Sequence, residues 1–233
     1  FVDEYPERDR DAQNALAAAA KDAGLGEVSF QLEPIAAALD YEQRLERETL
    51  VLVVDIGGGT SDFTVVRLGP THSGKHDRTG DILAISGVHI GGTDFDHRLN
   101  VEQVMPLLGY RHIGPSGREV PSSVFFDLST WHLIQWLYTP KAIAAARGLR
   151  TDYSNPQMHQ RLLRVLEERE GHRLADAVEQ AKIGASSSHG ATPIDLHWLE
   201  RGLDAQITPA DLQLQLQALL ANVVACAQDC VRL

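Results

Sequence analysis

The chain has 233 residues, 43% hydrophobic and 23% charged, the ordinary balance of a globular protein with a sizeable core. A formal net charge of −11 opposes broad binding to nucleic acid or to an anionic membrane, because either partner would be repelled. No run approaches the ~20 apolar residues of a membrane span, no basic-then-apolar leader opens the sequence, and Cys226 and Cys230 read as reduced packing thiols rather than a metal or redox pair, so a cytoplasmic setting is expected.

Phe1, Val2 and Asp3 read as the tail of a strand or the loop after it, and the last residues stop inside or just after a helix. The chain is therefore expected to be a piece of a longer protein. Residues 7–23 are rich in alanine and predict a helix closed by Gly24. Residues 28–32 are a short strand candidate, Pro34 opens a second helix over 35–39, and 44–48 is a charged link. Residues 50–56 form a β-branched run suited to a fully buried strand. After three glycines, 60–68 alternates as a second strand, 69–80 is a polar turn, and 81–90 is a third strand, so the sheet begins as a meander.

From residue 94 the period becomes helical. A helix over 94–105 is interrupted at Pro106, and 109–121 is loop-like. Residues 125–138 place Trp131, Leu133, Ile134, Trp136 and Leu137 at helical spacing, read as a buried core face, with a partner-binding face as the alternative. Helices near 156–170 and 173–183 follow, with Arg161, Arg164 and Arg169 among glutamates on a solvated face. A turn at Ser186, Ser187 and Ser188 leads to a polar hairpin over 192–207. The last helix opens on Thr208, Pro209 and Asp211, a capping box, and carries Leu212, Leu216, Leu219, Val223, Ala227 and Val231 as one apolar stripe.

The densest chemistry lies in Asp55-Ile56-Gly57-Gly58-Gly59-Thr60-Ser61-Asp62. Three glycines let backbone amides approach an oxyanion without interference from Cβ, and Thr60 adds a hydroxyl donor. Asp55 ends an apolar run, where a carboxylate is costly unless a cation or donors compensate it. Asp62 returns across the turn, and two acids beside a phosphate cradle suit hydrated Mg²⁺. A glycine-rich hairpin capped by two aspartates is the bland alternative. Gly91 and Gly92 follow a strand and open a helix, where their amides would meet a phosphate or ribose. Gly69-Pro70-Thr71-His72-Ser73-Gly74-Lys75-His76 fits a P-loop except at its last position, but a strand follows it, so it reads as a solvent-exposed hairpin turn.

Taken with Glu33-Pro34-Ile35-Ala36-Ala37-Ala38-Leu39, Ile90-Gly91-Gly92-Thr93-Asp94-Phe95-Asp96, and Glu179-Gln180-Ala181-Lys182 before Ser186-Ser187-Ser188, that octapeptide resembles the DnaK-type seventy-kilodalton heat-shock chaperones of the actin-like ATPase superfamily. The motifs keep that family's order and approximate spacing over nearly the whole chain. The likeness is greatest to the divergent chaperone-like proteins typified by YegD. It implies an α/β, ribonuclease H-like lobe: a mixed sheet with flanking helices and an inserted, mostly helical subdomain. Residues 1–48 would be a remnant of the first lobe with a connecting helix, 49–91 and 209–233 the sheet-bearing core of the second lobe, and 92–208 the insertion. ATP or ADP with Mg²⁺ would be the ligands. Polypeptide clients and co-chaperones would be the partners, in a stress-response role with neither nucleic acid nor membrane.

By position, the resemblance gives Asp55, Asp62, Glu33 and Thr60 catalytic roles, the two aspartates organising Mg²⁺ through water. Gly57, Gly58, Gly59, Thr60, Gly91 and Gly92 would face the phosphates or ribose, and Glu179, Lys182 and Ser186 would hold ribose and adenine edges. Three positions depart from the family. Ser61 replaces a bulky apolar residue, Thr93 a glutamate and Ile183 an arginine that packs on adenine. Residues 99–157 are also longer than usual. The first phosphate loop, the first-lobe lysine and the second adenosine segment are missing, so these residues alone are expected to bind ATP weakly or not at all and to be inactive. A sugar-type small-molecule kinase of the same superfamily, or a non-catalytic actin-like nucleotide-binding protein, are the alternatives.

Overall fold

A computed structural model describes residues 6–31, 33–75, 78–188 and 190–232. The readings made for Phe1 to Asp3, Leu32 and His76 lie outside the described residues. The chain divides into two compact units, Phe1–Val53 with Val66–Asp81, and Val54–Val65 with Ile82–Leu233.

In the first unit, helix α1 (Pro6–Asp22) ends where Gly24 takes φ +82°, and the Leu25 amide bonds back to the Ala20 carbonyl at 3.0 Å. The strand expected to follow is absent: residues 28–31 are irregular, and Val28 and Phe30 are exposed. Helix α2 (Glu33–Glu42) buries Ile35, Ala38 and Glu42. A fully buried glutamate requires a partner. Arg78 supplies it with two parallel bonds of 2.8 and 2.9 Å, and the Gly69 amide adds a third at 2.9 Å. Arg78 also donates through Nε to Asp81, whose other oxygen meets His72 Nδ1 at 2.7 Å, while His72 Nε2 faces Glu48 at 3.1 Å. Burial pushes the Glu42 and Asp81 carboxyls up, but the Arg78 guanidinium and its companions outweigh it and hold both below their ordinary values. The turn expected at 69–76 is exposed at Pro70, Thr71, Ser73, Gly74 and Lys75, but His72 within it, and Arg78 and Asp81 after it, are buried, because charges that satisfy one another can leave water together.

Strands β1 (Thr49–Ile56), β2 (Ser61–Leu68) and β3 (Ile82–Val88) pair in the order β1-β2-β3, a meander as expected. β1 is not the fully buried strand expected. Leu50, Leu52, Val54 and Ile56 are 39–63% exposed, since β1 has a neighbour on one side only among the described residues and its side chains alternate.

In the second unit, α3 (Gly92–Gln103) leads to α4 (Met105–Leu108), with Pro106 tolerated in its first turn. Helices α5 (Ser123–Ser129), α6 (Pro140–Gly148), α7 (Pro156–Glu167) and α8 (Gly171–Ser187) follow. Strands β4 (Thr192–Ile194) and β5 (Ala205–Ile207) form an antiparallel hairpin, and α9 (Pro209–Val231) closes the chain. One core joins Leu99, Phe125, Leu128, Leu162, Leu174 and Leu196; a smaller one sets Val223 and Cys230 of α9 against Phe63 and Ala84 of the sheet.

The helix expected over 125–138 is two pieces, α5 and a 3₁₀ turn at Ile134–Tyr138. Phe125, Leu128, Ile134 and Leu137 are buried, but Trp131 and Trp136 are 61% and 64% exposed, so the core-face reading fails for the tryptophans. The hairpin is less polar than expected, with Leu196, Leu199 and Leu203 buried in its loop. Arg161 is not solvated: it bonds Glu200 at 2.6 and 2.9 Å and the Leu107 carbonyl at 3.1 Å. Ser186 and Ser187 are the last turn of α8 rather than a separate turn. Helix α9 is long and apolar enough to cross a membrane by length and composition, contrary to the expectation; Leu216, Val223 and Cys230 are buried, while Leu214, Leu220, Val224 and Val231 are exposed. Cys230, not Val231, ends its buried stripe.

Candidate phosphate loop and adjoining cleft

The hairpin between β1 and β2 turns through the three glycines, closed by a 2.9 Å bond from the Gly57 amide to the Thr60 carbonyl. That bond sets a register which, continued into the strands, puts Asp55 directly opposite Asp62 on one face. Both are exposed. The Asp62 carboxylate lies over Gly87 of β3, where any side chain would come within 2.7 Å of its oxygen.

Four hydrogen bonds and one close approach clamp this bend to the start of α3. The buried Ser61 hydroxyl donates to the Ile90 carbonyl at 2.7 Å. The Gly92 amide donates to Gly57 at 2.9 Å, and Thr93 donates to the Gly58 carbonyl through both its amide, at 2.8 Å, and its hydroxyl, at 2.7 Å. Gly91 is pressed so closely that a Cβ there would lie 2.6 Å from the backbone of Gly58 and Gly59. The carbonyls of Gly57 and Gly58 are thereby turned into the protein, while the Gly58 and Gly59 amides donate to no group among the described residues.

The sequence reading is corrected at the second glycine pair. The Gly91 amide is taken by the Asp94 carboxylate at 2.8 Å and the Gly92 amide by Gly57, so neither is free to bond a phosphate directly. Their contribution is close packing. Glu33 stands in the other unit, exposed in the first turn of α2.

A cleft of about 360 Å³ adjoins the bend within the second unit, and Gly58, Gly92, Thr93 and Glu179 all line it. Residues from the glycine loops and from the α8 segment thus share one wall-to-wall space. Lys182 and Ser186 do not line it. Lys182 forms a 2.8 Å ion pair with Asp96, and the Ser186 hydroxyl donates to the Ile183 carbonyl at 2.8 Å. Burial pushes the Asp96 carboxyl above its ordinary value despite Lys182, with the charge of Glu179 adding to the rise. Among the described residues no cluster of three or more His, Cys, Asp or Glu could hold a metal unaided. The Asp55–Asp62 pair instead suits a hard cation that keeps its waters and arrives with phosphates.

Sequence reasoning missed Ser61 as a clamp, Gly87 as the space for Asp62, and Trp131 as a lining of the cleft. Each depends on a contact between distant positions, and only the exposed tryptophan left a signal in the sequence.

The MreB/Mbl protein family matches residues 8–101, which cover most of α1, α2, the meander and most of α3. That stretch is thus similar to proteins of the actin-like ATPase class. The Chaperone protein DnaK of Deinococcus deserti is 38% identical over 92 residues, 39% of this chain and 14% of the relative; that of Deinococcus radiodurans is 37% identical over the same length and shares. Through these residues the chain is similar to the actin-like ATPase, DnaK-type proteins, and it aligns with only 14% of the length of those relatives.

Proposed function

We propose that this chain is the second-lobe part of an ATP-binding and ATP-hydrolysing domain, with 49–91 and 209–233 as the sheet-bearing core and 92–208 as the inserted helical subdomain. The observation that carries the reading is the pair of open amides at Gly58 and Gly59, held outward by carbonyls bonded to Gly92 and Thr93, beside Asp55 and Asp62. Such amides, fixed before a ligand arrives, stabilise developing phosphate charge at little reorganisation cost. In this reading Asp55 and Asp62 hold Mg²⁺ through water, and Thr60 offers its hydroxyl. A bound Mg²⁺ supplies charge neutralisation at the terminal phosphate. Glu179 lies where it would accept from ribose hydroxyls. Gly91 and Gly92 position the bend.

On the motif resemblance, together with the chaperone name of the DnaK relatives, we extend this to a cytoplasmic chaperone of polypeptide clients, working with co-chaperones under stress. A second reading is an actin-like protein that binds nucleotide without turning it over, and the match to the MreB/Mbl family is common to both readings. Phosphate release from Mg²⁺-ATP by the intact protein separates the two. Asp55→Ala is expected to lower the rate at least about a hundredfold, as loss of one preorganised group typically does. Equal rates for both proteins would leave only the non-catalytic reading.

A further inference from the structure

His72 stands with both ring nitrogens against carboxylates: Nδ1 is 2.7 Å from Asp81 Oδ1 and Nε2 is 3.1 Å from Glu48 Oε2. A carboxylate only accepts, so both contacts are hydrogen bonds only when both nitrogens carry protons, as in the imidazolium. Charge balance calls for the same form. The buried Glu42 and Asp81 carboxylates share one buried guanidinium, that of Arg78, and an imidazolium cancels the negative charge left over. The Lys75 ammonium, 3.2 Å from Nδ1, acts against it. Arg67 Nε lies 3.4 Å from the other Glu48 oxygen and has no hydrogen-bond partner among the described residues. All of these groups belong to the first unit.

The two contacts differ in what their loss costs. Asp81 is 5% exposed, so its Oδ1 would lose the ring as a partner away from water. The Glu48 side chain is 56% exposed and can turn to water instead. A ring with a single proton therefore keeps it on Nδ1 and gives up Glu48. The turn that carries His72 also lies directly on this link, since a Cβ at Gly69 would come within 2.9 Å of Glu48 Cα. We propose that His72 is a proton-operated latch: doubly protonated, it ties Glu48, and with it the 44–48 link that enters β1, to the buried Arg78 cluster, and loss of the Nε2 proton frees the link.

The ¹⁵N-labelled chain, compared at about pH 5.5 and about pH 9, tests the latch at two atoms and one segment. Backbone order parameters at Glu46, Arg47 and Glu48 are expected near ~0.85 at the lower pH and to fall below ~0.6 at the higher. At the higher pH the His72 ring is expected to carry its proton on Nδ1, with Nε2 bare. Glu48→Gln, at an exposed position, can accept from a protonated Nε2 or donate to a bare one, so it should keep the link ordered at both pH values. Glu48→Ala makes neither bond and should leave the link loose at both. Link order in the wild type that does not change with pH, a neutral ring protonated on Nε2, or loosening in Glu48→Gln equal to that of the wild type would each overturn the latch.

Discussion

At the scale of single residues, the glycines of this site do different physical work, and substitution separates them. Gly91 has an ordinary extended backbone, φ −145°, so no left-handed conformation demands glycine there. Close approach does: its Cβ would strike backbone atoms of Gly58 and Gly59, which cannot swing aside as a side chain could. Gly59 faces open space. We expect Gly91→Ala to cost about 2–3 kcal/mol in urea unfolding, while Gly59→Ala stays within about 0.5 kcal/mol. Equal costs would mean the two loops are not clamped. The octapeptide stands out in the sequence because three glycines free the backbone between two acids, a local pattern that needs no distant contact to be seen. Thr93 was not: in sequence it looked like a lost ribose acceptor, whereas its hydroxyl bonds a carbonyl 35 positions earlier.

At the scale of elements, the buried ion cluster of the first unit sets how stability follows pH. Glu42 and Asp81 have folded values held below the unfolded ones near ~4. Their contribution is therefore complete above those unfolded values and is lost as pH falls through the folded ones. Arg78→Met leaves two buried carboxylates without their cation, at an expected cost of about 3–5 kcal/mol at pH 7. Below about pH 4 protonation relieves the variant, so the gap to the wild type should narrow. Urea midpoints measured from pH 7 to 3 check this; a gap that stays constant would contradict the cluster. Local signals made several elements legible. Thr208, Pro209 and Asp211 do form the expected box, with bonds of 2.9 and 3.1 Å between cap and third residue. Helical spacing at 125–138 could not reveal the break at residues 130–133, because period alone does not register a chain that leaves the helix for a few residues and returns. An unbroken apolar run likewise cannot distinguish an edge strand from a central one, which is why β1 was misjudged.

At the scale of the whole molecule, the order of motifs carried the fold class further than periodicity did. Four segments spread over some 150 positions pointed to one superfamily, and the matched residues 8–101 agree with the first three of them. What composition could not show is where charge goes inside. The segment 69–81 is polar enough to read as a surface turn, yet it closes over Glu42, 27 positions before its first glycine. The same limit applied to the cleft, where Asn100, Trp131 and Glu179 converge from three separate elements.

The proposed function requires that the triple-glycine bend offer free amides to phosphate. Amide signals of Gly58 and Gly59 in the ¹⁵N-labelled chain, followed while Mg²⁺-ATP is titrated to millimolar concentration, test it most directly. Both amides are expected to move downfield together, and Gly57, whose amide is already bonded to Thr60, to move far less. Shifts confined to other parts of the chain, with Gly58 and Gly59 unmoved, would contradict it.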